Sequence, residues 1–181
     1  RLHDNPELRW EEHRAAAWIS EALEKLGDVS VKRQLGGYPT AFRARVGNGQ
    51  GPRVAILAEY DALPEIGHAC GHNLIAGGAV GAFLALARLG SALPGTVEIV
   101  GTPGEEGGAG KVRLIEKGAF DGVDVAMMFH PFDRDLLAHP ALASKWLEMR
   151  FQGTPSHASA APWEGQSALT ACIETFRLID S

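Results

Sequence analysis

Cysteine is nearly absent from this chain. Cys70 and Cys172 are its only two, too few for a disulfide framework, so a reducing cytoplasm is the expected setting. Long apolar runs are missing too. None reaches the ~18 residues that span a bilayer, and the longest candidate, Ala76 to Leu89, carries a Gly-Gly pair and Arg88 and suits a buried helix better. No secretory leader is read at the start. Positive charge is in deficit: 17 Lys and Arg against 22 Asp and Glu give a net charge of −5, which removes the electrostatic footprint of a nucleic-acid binder. What is present, 45% hydrophobic and 22% charged residues over 181 positions, is the composition of a globular protein of one domain or slightly more. Arg1 in place of a Met, and an end at Ser181 within a helical pattern, suggest a piece of a longer protein.

Apolar spacing predicts a helix over Pro6 to Leu26 that stops at Gly27. Short strands are expected at Val29 to Gln34 and Ala41 to Val46, followed by a turn at Asn48 to Pro52. Arg53 to Ala58 is nearly continuous apolar strand, as expected where both faces of a sheet are covered. Then the order alternates: helix Leu74–Leu89, strand Thr96–Gly101, helix Lys111–Lys117, strand Val123–Phe129. Alternation of this kind predicts an α/β fold, a mostly parallel sheet with helices on both faces. Gly77, Gly78 and Gly81 cost the first of these helices about 1 kcal/mol each, a loss that close packing on the sheet would offset. After His139-Pro140 the character changes to an alternating strand at Leu142 to Phe151, a turn at Gly153 to Ser156 and a helix from Gln166 to Ile179. The expected organisation is a domain over residues 1–141 and the truncated start of another over 142–181.

Reactive side chains gather just after the apolar strands. Glu59-Tyr60-Asp61-Ala62-Leu63-Pro64 and then His68-Ala69-Cys70-Gly71-His72-Asn73 fill the strand-to-helix loop, where α/β proteins place ligands. Thiolate and imidazole at Cys70 and His72 suit zinc and related ions. On a helix these two positions would diverge, so both can face one ion only from an extended loop, which Gly71 permits. A small buried Cys beside an exposed His is the bland alternative; a nucleophilic Cys–His dyad is disfavoured because neighbouring acids raise the thiol pKa. Glu105 and Glu106, flanked by glycines, are a poor place for like charges unless a cation is near; one could then ligate while the other accepts a proton. A solvated acidic loop is the bland alternative. A phosphate cradle is excluded, since Val112 follows Lys111 where a Ser or Thr is required and two acids would repel phosphate. His130 closes the last apolar run; alone it would read as structural, but it falls on the same sheet edge as the other two clusters. His157 belongs to the second segment and reads equally as a turn residue or a donor to substrate. His3, His13, His68 and His139 are left outside the candidate set, His68 with an open role because it lies so near His72.

Taken in order, Glu-Tyr-Asp-Ala-Leu-Pro, Gly-His-Ala-Cys-Gly-His-Asn, Gly-Thr-Pro-Gly-Glu-Glu-Gly-Gly, Phe-His-Pro and Gly-Thr-Pro-Ser-His-Ala resemble the M20 metallopeptidase and amidohydrolase family. The likeness is closest to its aminobenzoyl-glutamate hydrolase and M20-domain-containing protein 2 branch, and runs from Asp4-Asn5-Pro6-Glu7-Leu8 to the helix after Gly165. The resemblance implies a zinc-exopeptidase-like α/β domain followed by an α+β lid and dimerisation domain. It also implies two divalent metal ions, zinc or manganese, and hydrolysis of an amide beside a carboxylate-bearing group in a small N-acyl amino acid or dipeptide. Position by position, Cys70, His72, Glu106 and His130 match metal ligands, and Glu105 matches the general base. Asp61 matches the acid behind the metal loop, and His157 a residue that reaches a partner subunit's active site in a homodimer and stabilises the oxyanion. Where many members carry His-x-Asp, this chain has Glu59-Tyr60-Asp61, so that His ligand is missing, and a last His ligand lies outside the sequence. The alternative function is a catalytically incomplete binding or dimerisation module, against which every expected ligand in range, and Glu105, argue.

Overall fold

The computed structural model describes residues 1–27, 29–137, 139–140, 142–143 and 147–180. It divides into two compact units, Arg1–Leu137 and Ala138–Ser181.

In the first unit the opening helix is shorter than its apolar spacing predicts: α1 is His13–Glu24. Residues 6–12 are held otherwise. Ala62 N–H donates to the Glu7 carbonyl at 2.8 Å, and Leu8 forms a parallel bridge with Ala62. The Glu7 carboxylate turns back to accept the N–H groups of Arg14 and Ala15 at 3.1 and 2.9 Å. It thereby satisfies two of the donors that a helix start leaves free. Ala15, Ile19 and Leu23, one turn apart, are buried.

Strands β1 (Ser30–Arg33), β2 (Phe42–Gly47), β3 (Arg53–Ala58), β4 (Thr96–Gly101) and β5 (Val125–Met127) form one sheet in the order β1-β2-β4-β3-β5. The pairs β3–β4 and β3–β5 are parallel, as the alternation of strand and helix requires. The pairs β1–β2 and β2–β4 are antiparallel. The sheet is therefore mixed, with its parallel part where helix α2 (His72–Ala87) and helix α3 (Gly110–Glu116) supply the crossovers. One core lies between α1, α2 and the sheet face bearing Phe42, Ala44 and Ile99; the other joins Leu114 of α3 to Ala55, Leu57 and Val100. Side chains such as Leu23, Ile75 and Phe83, fully enclosed, contribute about 1.5–3 kcal/mol each.

Compensation for the helix glycines holds at one position only. A Cβ on Gly78 would collide with the Phe129 ring, whereas Gly77 and Gly81 have nothing within 4 Å. Sheet alternation also buries a charge that spacing alone would not place. Glu98 of β4, fully enclosed, takes Arg43 at 2.9 Å and Arg45 at 2.7 Å, together with Arg53.

In the second unit, helix α4 (Ala168–Ile179) is capped by Ser167, whose hydroxyl accepts the Thr170 N–H at 3.1 Å. Thr154 and Gln166 form an antiparallel bridge, so the helix begins two residues later than expected. The strand predicted over Leu142 to Phe151 is not formed among the described residues of that stretch; an alternating pattern needs a paired neighbour to become a strand, and the described residues supply none there. Ser144, Lys145, Trp146 and the expected boundary residue Ala141 lie outside the described residues.

Candidate metal centre

Because β3, β4 and β5 run parallel, their carboxyl ends share one edge of the sheet, and the loops that leave them carry the reactive side chains. Gly71 adopts φ +85°, a left-handed conformation favoured by glycine, and a Cβ there would lie 2.8 Å from Pro131. This bend lets Cys70, before the helix, and His72, its first residue, turn to the same side.

His72 is wholly buried. Its Nδ1 lies 2.8 Å from Asp61 Oδ1, and Asp61 Oδ2 accepts the Glu106 N–H at 2.9 Å. With Nδ1 donating to a carboxylate, Nε2 is the free face of the ring, and it has no hydrogen-bond partner among the described residues. Three carboxylates surround that nitrogen: Glu59 Oε2 at 3.4 Å, Glu105 Oε2 at 3.8 Å and Glu106 Oε1 at 3.9 Å. On the other side Cys70 Sγ is 3.6 Å from His130 Nε2, and His130 Nδ1 lies 2.8 Å from the Pro131 carbonyl. The His72 and His130 rings meet edge-on at 5.9 Å.

Two donor sets result, and they share His72. Cys70, His72 and His130 form one, and His72, Glu105 and Glu106 the other, each with ligand atoms within 4.8 Å of one another. The structure thus brings together Cys70, His72, Glu105, Glu106 and His130, with Asp61 behind. His157 belongs to the second unit, where its Nδ1 accepts the Ala160 N–H at 3.2 Å. His68 is in neither set; burial, the main cause, lowers its pKa.

Electrostatics favour a cation here. Burial pushes the Cys70 thiol up to about 11, and the carboxylates of Glu106, Glu105 and Glu59 add to the rise. A neutral thiol of this kind is a poor nucleophile and becomes a ligand only beside a cation. Burial, followed by the charge of Glu59, also raises Glu105 above the usual carboxylate range. Asp61 moves the other way: burial would raise it, but the His72 ring and the Glu106 N–H together hold it below its usual value. A buried ring nitrogen without a partner, ringed by carboxylates and flanked by a thiol, fits a divalent ion with mixed S, N and O donors.

Two residues at this site carry no signal in a motif read alone. Glu59 stands where the family pattern has a His, and Lys111 of α3 reaches it to form an ion pair. Lys111 could have been found from its place, one residue after the glycine that starts α3.

This fold is shared with solved structures. A Bacillus subtilis protein described as a dinuclear metal-binding peptidase of the M20 family superposes with a TM-score of 0.63 at 29% identity, over 69% of this chain and 38% of that one. An aminobenzoyl-glutamate utilization protein from Klebsiella pneumoniae matches in fold, with a TM-score of 0.56 at 23% identity over 69% of this chain and 40% of that one.

Residues 55–174 match peptidase family M20/M25/M40, and the chain belongs to that family. Among its curated relatives is the Xaa-Arg dipeptidase of Mus musculus, 43% identical over 93% of this chain and 42% of the relative. Another is a p-aminobenzoyl-glutamate hydrolase of Escherichia coli (strain K12), 39% identical over 94% of this chain and 39% of the relative. The chain spans about two-fifths of the length of these relatives.

Proposed function

We propose that the complete protein is a metal-dependent amidohydrolase or dipeptidase acting on small N-acyl amino acids or dipeptides. The observation that carries this reading is the pair of donor sets meeting at His72 Nε2, a buried atom with no hydrogen-bond partner among the described residues. The names of the relatives support the substrate class: a dipeptidase whose second residue is Arg, and a hydrolase of p-aminobenzoyl-glutamate. In both, the bond cleaved is an amide next to an amino acid.

Cys70, His72, Glu106 and His130 would hold two divalent ions. The thiolate and imidazoles suit zinc, and the carboxylate tolerates manganese. Ions in this position supply Lewis acidity toward an amide carbonyl and toward water. Glu105, 43% exposed at its side chain, is open to substrate and takes the proton of the attacking water as the new C–O bond forms. It then gives that proton to the amide nitrogen as the C–N bond breaks. Its raised pKa brings it nearer to neutral pH, where a group that both accepts and donates works best. Asp61 fixes which nitrogen of His72 carries hydrogen and so which one faces the ion. His157, placed by the second unit of a partner subunit, would donate to the oxyanion. The dimer reading is supported by the exposed apolar side chains Leu169, Ile173 and Phe176, which recur at helical spacing along α4.

The test is metal analysis of the gently purified complete protein, joined to a panel of dipeptides and N-acyl amino acids assayed with zinc and with manganese. Two ions per chain and release of free amino acid are expected. A metal-free protein that remains inert to the panel after reloading would sink the reading.

A further inference from the structure

Glu12 is an acid that the hydrolytic scheme does not use. It directly precedes α1 and is fully enclosed. Its Oε1 accepts the Gly104 N–H at 2.7 Å, across 92 residues of sequence, while its Oε2 has no hydrogen-bond partner among the described residues. Burying a carboxyl to satisfy one amide is costly, and an apolar side chain would fill the space at lower cost. The bond therefore has a use beyond filling the space. Gly104 immediately precedes Glu105.

The neighbours of Glu12 grip the same loop. A Cβ on Gly104 or on Gly108 would lie 2.7 Å from the Trp10 indole, so the ring is pressed flat against both glycines that bracket Glu105 and Glu106. Trp10 itself has φ +69°, a left-handed conformation that costs a non-glycine residue about 1–2 kcal/mol. Arg9 Nη1 donates to the Glu106 carbonyl at 3.0 Å. From the far side, Arg113 lies over the Trp10 ring at 5.3 Å and donates to the Gly108 carbonyl at 3.1 Å. Three contacts from one short segment thus reach a loop that glycines leave intrinsically loose.

We infer that Arg9, Trp10 and Glu12 form a brace that positions the Glu105–Glu106 loop against His72, with Glu12 as its positioning residue. This rests on the proposed roles of Glu105 and Glu106. None of the three brace residues touches substrate; they act by holding the proton acceptor and its neighbouring ligand in place, where small displacements are expensive in rate.

The experiment compares wild type with Glu12→Ala, Glu12→Gln and Arg9→Gln in the complete protein. The readouts are hydrogen exchange of the Gly104 amide, metal content, and kcat and KM. Glu12→Ala should expose the Gly104 amide to exchange and lower kcat by about 100-fold with KM little changed. Glu12→Gln keeps an acceptor oxygen and should restore both the protection and most of kcat. Arg9 is exposed, so Arg9→Gln should fold normally and lower kcat by a smaller factor. A folded Glu12→Ala with protected Gly104 and wild-type kcat overturns the brace, as does Glu12→Gln falling as far as Glu12→Ala. If Glu12→Ala does not fold, unchanged kcat in Arg9→Gln overturns it. A wild type inert to every amide would count against the hydrolase reading alone; the Gly104 exchange would still decide the brace.

Discussion

Asp61 holds two different parts of the site with one carboxylate: Oδ1 lies 2.8 Å from His72 Nδ1 and Oδ2 takes the Glu106 N–H at 2.9 Å. This residue, in the loop after β3, thereby aligns a ring at the start of α2 with the loop after β4. Replacing it by Asn keeps the shape but leaves only one acceptor, since the amide nitrogen would face another donor. Asp61→Asn is expected to weaken metal binding by about 10–100-fold, read by competition with a chelator. Unaltered affinity would show that His72 and Glu106 hold their places without it.

Glu105→Gln in the complete protein should lower kcat by at least about 100-fold, the minimum typical of a lost general base. Metal content should stay at the wild-type value, because Glu106, not Glu105, is the proposed ligand. A variant that turned over normally would remove Glu105 from the proton transfers.

Stability should depend on pH through Glu12. Burial, the largest influence, raises its pKa from the usual 4.5, and hydrogen bonds from its own backbone, Trp10 and Gly104 offset only part of that. Below 4.5 both folded and unfolded chains hold the proton. As pH rises, the unfolded chain releases it first, so stability falls until the raised folded pKa is passed and is flat beyond. Glu12→Gln should remove this decline. Urea midpoints measured from about pH 4 to about pH 8 for both proteins check it; parallel curves would contradict the assignment.

Glu98→Ala should destabilise the fold strongly. It strands Arg43, Arg45 and Arg53 around an empty position, and loss of one partner from a buried ion pair costs about 3–5 kcal/mol. The expected result is a large drop in urea midpoint; a change under about 1 kcal/mol, well below that scale, would mean that the arginines find water instead.

Much of this molecule can be read along the chain because its signals are local. Arg53 to Ala58 is apolar on both faces and forms β3, and Gly71 between Cys70 and His72 predicts the bend that the structure contains. Glu105-Glu106 and His130 can be placed on the site edge because strands that alternate with helices must run parallel. The brace and the arginine cluster are not legible. Glu12 lies in what reads as a continuous helix, and only the Ala62–Glu7 pairing, made with a segment far along the chain, unwinds those residues. Glu98 reads as one polar position in a short strand; its three partners come from β2 and β3, and that register is a property of the sheet. The pairing of Glu59 with Lys111 is hidden for the same reason, the two being 52 residues apart. Non-local pairings are invisible to spacing, and the second unit's missing strand at Leu142 to Phe151 is the converse, a local pattern without a partner among the described residues.

β5 pairs only with β3, over the three residues Val125 to Met127, all exposed. It is the shortest strand of the sheet, and His130 follows it closely. Cys70 sits 60 residues away on the far side of the same contact. A cation held jointly by Cys70 and His130 would therefore act as a clasp on the sheet's weakest margin. Fraying of that margin and escape of the ion would be one event, so the residence time of the metal would report how firmly the edge is closed.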